Sequence, residues 1–281
     1  MSLVIKVKGE YAPTDSKKLY RDAIVDEGTL LWHDFSNRGT LNGAPFVNGN
    51  IIYDLARDNS ELLGITNTAP LTVVPTANPI LTSGKGVDIP SISQGSSIPV
   101  RGINLGDDLP DYIYNNPDER YLWTVWIRRI DPIPVHGMFM GTSGELDRGS
   151  FMHARLSATG EVSMMFADAT SGSIPISTTE VIQISVEFQG AGLPLRVFVN
   201  GVFLRESASN AIGFISPAEN PLYIGGIDSR ISNVIYYRGG IIDVNKSSLS
   251  ADEIVKKDWE YCNAIGEYAG LPTKRPFIDT L

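Results

Sequence analysis

Apolar and polar positions alternate in short runs along most of this chain, and the runs are cut by Gly, Pro, Asn and Asp. A two-residue period marks half-buried β-strands, and those four residue types are the punctuation of turns. The pattern is clearest from Tyr121 onward. Residues 121–128 and 137–141 read as strands rich in aromatic and bulky apolar side chains, and residues 151–156 and 162–166 flank a Thr159-Gly160 turn as a hairpin. A long strand over 181–188 follows. Runs 195–199 and 202–205 are then joined by Asn200-Gly201, the strongest short hairpin signal a sequence carries. Residues 222–226 and 232–237 add two more strands.

The same signs are weaker upstream. Residues 30–55 read as short strands broken by turn residues, and residues 64–120 crowd Pro, Gly, Ser and Asn around small apolar pieces, which predicts an irregular insertion. Residues 1–28 alternate at Leu3, Ile5 and Val7 and then turn polar, which predicts an N-terminal arm that contacts another subunit. One helix is predicted, over 250–266: Ser250 and Glu253 form a capping box, and Val255, Trp259, Cys262 and Gly266 follow at helical spacing. Many short strands with a single late helix point to an all-β, antiparallel sandwich filling residues 29–281, not to an alternating α/β sheet.

The order of these elements carries a resemblance. A tryptophan strand (Thr124-Val125-Trp126-Ile127), a long strand (Ile184-Ser185-Val186-Glu187-Phe188), the Asn200-Gly201 hairpin, Leu222-Tyr223-Ile224-Gly225-Gly226 and a closing Leu249-Ser250-x-x-Glu253-Ile254 follow one another. Together they resemble the concanavalin-A-like, laminin-G-like jelly-roll family over roughly residues 30–265. The resemblance implies that Trp126 packs in the core, and Trp32 and Trp259 also read as core. Relatives of this fold include sugar-binding lectins, glycan hydrolases and lyases, and modules of phage virions, so the fold leaves function to the sites.

Charge and composition narrow the choice. The chain has 281 residues, 42% of them hydrophobic, and a formal charge of −9, which disfavours nucleic acid and anionic lipid as partners. Cys262 is the only cysteine, so no intrachain disulfide is possible, and its place on the apolar stripe of the helix predicts a buried, inert thiol. Lys6 and Lys8 interrupt the first apolar stretch, and no run of about eighteen apolar residues follows, so the expectation is synthesis in the cytoplasm without membrane insertion.

Candidate chemistry is sparse. Hydrolases on this jelly roll resemble one another in a Glu-x-Asp-x-(x)-Glu strand, but here Glu145-Leu146-Asp147 lacks the final acid, its place being taken by Gly149 or Ser150. His33, His136 and His153 have no acidic residue at fixed spacing. The acidic turn at Asp107, Asp108 and Asp111 offers the hard oxygens that calcium takes, with an ordinary turn as the plainer reading. Tyr112, Tyr114 and Trp123 are the candidates for a sugar platform, because a flat ring stacks on the apolar face of a pyranose.

These readings favour a non-enzymatic structural or surface-binding module, most simply a phage-type virion or tail subunit that assembles with other copies at a particle surface. Two alternatives stand beside it: a carbohydrate-binding, lectin-like module that takes a surface glycan, and a glycan hydrolase or lyase.

Overall fold

The computed structural model describes residues 22–41, 46, 50–65, 69–72, 80–81, 86–89, 101–131, 137–142, 152–176, 178, 180–213, 221–226 and 234–264. In chain order the first elements are β1 (Thr29–Asp34), α1 (Arg38–Leu41), β2 (Ile51–Ile52), α2 (Arg57–Leu62), β3 (Ala69–Thr72), β4 (Ile80–Leu81), β5 (Val87–Ile89), β6 (Arg101–Asn104) and α3 (Asp108–Asn115). Next come β7 (Tyr121–Arg129), β8 (Gly137–Thr142), β9 (Met152–Leu156), β10 (Glu161–Phe166), β11 (Ala169–Thr170) and β12 (Ile174–Pro175). The chain continues with β13 (Ile182–Phe188), β14 (Pro194–Val199), β15 (Val202–Asn210), β16 (Leu222–Gly226), β17 (Val234–Asp243) and α4 (Ala251–Ala264).

The strands form two antiparallel sheets, the sandwich that the alternation predicts. One runs β15-β14-β13-β7-β17-β5-β4, with β1 also on β17; the other runs β11-β10-β9-β8-β16-β6-β3-β2, with β12 on β10. Between them lies the main core, to which the first sheet gives Trp123, Val125, Ile184, Val186, Val197 and Tyr236, and the second gives Phe139, Met152, Met164 and Phe166. The β13–β7 register sets Ser185 opposite Thr124, and their hydroxyls share a 2.8 Å hydrogen bond.

The first sheet is covered on its outer face as well. Leu122, Phe198 and Ile242 pack there with Val255 and Ile254 of α4, while Trp126 and Tyr237 pack with Cys262 and Trp259. Burial on both faces explains why β7 and β17 read as nearly continuous apolar runs rather than clean alternations. Trp126 is buried, but on this outer face rather than between the sheets. Gly240 is required where β1 crosses, because a Cβ there would stand 1.9 Å from the Leu31 carbonyl oxygen.

Three helices besides α4 occur among the described residues. The most consequential is α3, where the sequence suggested a turn: Pro110 sits in the first turn, where proline costs no hydrogen bond, and Leu109, Pro110 and Ile113 are buried. The described pieces of residues 64–120 are strands of both sheets plus this helix. Residues 1–21 of the expected arm lie outside the described residues, whereas Ile24 and Val25 belong to the outer cluster under α4.

Candidate functional site

The β14–β15 hairpin is built as its sequence demands. Asn200 and Gly201 have φ of 52° and 82°, the pair of positive values that a type I′ turn needs. One side chain on the neighbouring strand then ties this turn to α4. The Gln183 amide Nε2 donates to the Val255 carbonyl (3.1 Å) and to Asp258 Oδ2 (2.8 Å), while its Oε1 accepts from the Gly201 N–H (2.8 Å). The Gln183 backbone N–H donates to Asn200 Oδ1 at 3.0 Å, and the Asn200 N–H returns a 3.0 Å bond to the Gln183 carbonyl.

The helix is started by the expected capping box. The Glu253 N–H donates to Ser250 Oγ (3.4 Å), while the Ser250 N–H (2.9 Å) and hydroxyl (2.7 Å) donate to Glu253 Oε2 and hold its carboxyl below its usual pKa. Ala251, Ile254, Val255, Asp258 and Cys262 are buried, whereas Asp252, Lys256 and Glu260 are exposed on the side that faces the hairpin. Trp259 lies between these two faces. It stacks on Trp126 with ring centres 5.3 Å apart and planes 13° from parallel, and it is only half-buried, so the expectation of a core tryptophan is corrected.

Hairpin and helix together enclose an open groove of about 450 Å³. Its apolar walls are Phe198, Phe203 and Trp259; Asn200, Asp252, Lys256 and Glu260 supply its polar rim. Phe203 is 44% exposed and stands edge-on to Phe198, with centres 5.8 Å apart. The Arg196 guanidinium lies over both phenyl rings, and its Nη1 reaches Glu187 Oε2 at 2.9 Å and Asp252 Oδ2 at 2.8 Å. Hydrogen bonding to Asp252, ahead of the charge of Glu187, raises its pKa further, so it is a fixed cation. Glu187 is fully buried and is also bonded by Arg120.

The sequence candidates lie elsewhere. Trp123 is fully buried between the sheets, with its ring edge-on to Phe166, so it offers no face to a surface ligand. Tyr112 and Tyr114 are on α3, where the Tyr112 hydroxyl accepts from Lys246 Nζ at 2.8 Å and Tyr114 is 38% exposed. Asp107, Asp108 and Asp111 are spread along the start of that helix, favourable to its dipole, and no group of three acidic, His or Cys side chains suited to a metal occurs among the described residues. His33 is buried in β1 with its pKa pushed down to about 3 by burial, which keeps it neutral. His153 is buried in β9; His136, Glu145 and Asp147 lie outside the described residues. Burial pushes the Cys262 thiol well above its ordinary pKa, as suits an inert core cysteine.

The groove escaped the sequence reading because its parts lie in segments far apart in the chain. The one local signal is Val202-Phe203-Leu204, three large apolar residues in succession after the turn, where a strand with one wet face would alternate.

No protein-family model and no curated protein sequence matches this chain. Solved structures do. A Trypanosoma rangeli sialidase in complex with 2,3-difluorosialic acid, as the covalent intermediate, superposes with a TM-score of 0.51 at 13% identity, over 85% of this chain and 34% of the sialidase. A mutant of the same sialidase with trans-sialidase activity gives 0.52 at 13% identity. The binding domain of botulinum neurotoxin serotype D gives 0.51 at 11% identity, over 85% of this chain and 52% of that one. The chain therefore spans about a third of the sialidases and about half of the toxin domain. At these identities the likeness is one of fold. It overturns the expectation that the chain is not an enzyme, since enzymes are among the proteins that carry this fold.

Proposed function

We propose that this protein is a carbohydrate-binding β-sandwich, and that the sugar lies in the groove between the Asn200-Gly201 hairpin and α4. The observation that carries the reading is the meeting of the Phe203 and Trp259 rings, backed by the buried Phe198, with an amide and charged groups in one open groove. Aromatic rings pack against the C–H face of a pyranose, and a few convergent polar groups orient its hydroxyls. Asn200 supplies amide hydrogens, Asp252 and Glu260 supply acceptors, and Lys256 supplies a donor. The fold likeness to sialidases and to a toxin binding domain supports this reading. We prefer it to the virion or tail subunit that the sequence favoured, because the fold likeness to sialidases and a groove suited to a flat sugar face support it better.

A second reading, part of a glycan-processing enzyme, is favoured by the sialidases specifically. On that reading the groove holds the glycan during processing.

Affinity electrophoresis through gels containing neutral polysaccharides tests the proposal. Migration of the protein should be retarded by at least one of xyloglucan, galactomannan, arabinoxylan or mixed-linkage β-glucan, and Phe203→Ala should restore free migration. Retardation that persists in Phe203→Ala, or none in any gel, would contradict it.

A further inference from the structure

Proteins hold sugar acids with a guanidinium whose fork matches the carboxylate, or with an ammonium free to approach it. One cation lines this groove, Lys256, and a second, Arg196, lies over its phenyl rings; each already faces a carboxylate. Arg196 bonds the fully buried Glu187 at 2.9 Å, and both its terminal nitrogens bond Asp252 at 2.8 Å. Lys256 lies one helical turn from Glu260, with Nζ 3.8 Å from Oε1. The groove itself is lined by two carboxylates, Asp252 and Glu260, and one cation, Lys256, while the buried Glu187 is shared by Arg196 and Arg120, on a chain whose formal charge is −9.

An acidic sugar entering the groove would have to compete with Asp252 for Arg196 or share the exposed Lys256 with Glu260, and in either place would sit beside that carboxylate. A neutral pyranose displaces nothing. It meets the exposed ring of Phe203, the amide of Asn200 and carboxylate oxygens that accept from its hydroxyls.

Building on the carbohydrate reading, on which it rests, we infer that this groove selects uncharged sugar units and discriminates against glycans that carry a carboxylate, whether uronic or sialic acid. Asp252 and Glu260 are the specificity-determining residues. Their charge, rather than the shape of the groove, sets the preference.

An array bearing each glycan core in a neutral form and in forms capped with uronic or sialic acid tests this on the intact chain. The neutral form of a bound core should be held about tenfold more tightly at low salt, with the gap narrowing as salt screens the carboxylates. An Asp252→Asn, Glu260→Gln double variant, which keeps an oxygen acceptor at each position, should bring the ratio of neutral to acidic binding close to one, whatever it does to the affinity for the neutral form. Acidic forms bound as tightly as their neutral counterparts, or more tightly, would overturn the selectivity while leaving the carbohydrate reading in place. Discrimination unchanged in the double variant would likewise overturn it. Absence of binding to every core would overturn the carbohydrate reading, and this inference with it.

Discussion

Arg238 Nη2 and Asp258 Oδ1 meet at 2.9 Å, and each side chain is about 1% exposed. The same guanidinium bonds Asp34 Oδ2 at 2.6 Å and Asp22 Oδ1 at 3.2 Å and lies over the Trp32 ring. Asp258 in turn accepts from Trp126 Nε1 at 2.6 Å and from Gln183. One buried cation thus joins the segment before β1, β1 itself, β17 and α4, and through Gln183 it fixes the helix against the hairpin that forms the groove.

Removing that cation would leave three buried carboxylates without compensation. Arg238→Met should cost about 3–5 kcal/mol of stability, the range for breaking a buried ion pair on one side. Urea denaturation at neutral pH measures this; a loss under about 1 kcal/mol would mean that the cluster rearranges at little cost.

The cluster also gives the protein a pH dependence of definite sign. Burial raises the pKa of Asp34 and Asp258 above the ordinary aspartate value, while the charge of Arg238 pulls each partly back. A carboxyl that holds its proton more tightly when folded contributes stability that is complete below its unfolded value and is lost as pH rises through the folded one. Glu253, lowered by Ser250, runs the opposite way, contributing above its unfolded pKa and losing that as pH falls, but it is at the surface. Asp258→Asn keeps an acceptor for Trp126 and removes one titration, so its melting temperature should fall less steeply than the native one as pH rises above about 4. Parallel curves for the two proteins would contradict this.

Trp259 is shared between fold and groove. Because it is half-buried, Trp259→Ala should cost less than the about 3–5 kcal/mol of a fully buried tryptophan. Ligand affinity should fall at least about tenfold, the loss expected when a ring of this kind leaves an interface. Thermal melting and binding isotherms on the same preparation separate the two effects. A destabilisation in the full-burial range with affinity intact would place the ring in the core and outside the site.

Gly201 bears on both as well. Its φ is 82°, and a Cβ there would stand 2.8 Å from Trp259 Cβ and 2.9 Å from Cδ1. Gly201→Ala should therefore destabilise by more than about 1 kcal/mol, combining a disfavoured backbone conformation with a clash that moves the indole. A changed tryptophan emission with a lowered urea midpoint is the expected result, and a midpoint unchanged from the native protein would count against it.

How far the sequence revealed this protein depends on how local each feature is. The Asn200-Gly201 turn, the Thr159-Gly160 hairpin and the Ser250–Glu253 cap are set by a few adjacent residues and occur where the pattern placed them. Helix α3 did not look like one, because Pro110 and three aspartates within five residues resemble a turn until the dipole and the tolerance for proline in a first turn are weighed. The side of the sheet that each tryptophan faces was not legible, since β7 is buried on both faces and alternation loses its meaning there. The groove was least visible of all: Gln183, Phe203 and Trp259 are brought together by tertiary packing, and only the run Val202-Phe203-Leu204 hinted at an exposed apolar edge.

The most direct test of a sugar in this groove is an NMR titration of the isotope-labelled protein with the neutral oligosaccharide that binds it best. Saturable shifts should concentrate on the Trp259 indole N–H and on the backbone amides of Asn200, Gly201, Phe203 and Lys256, with the α3 amides of Tyr112 and Tyr114 unmoved. Shifts centred on α3, or scattered without saturation, would contradict the assignment of the groove as the site.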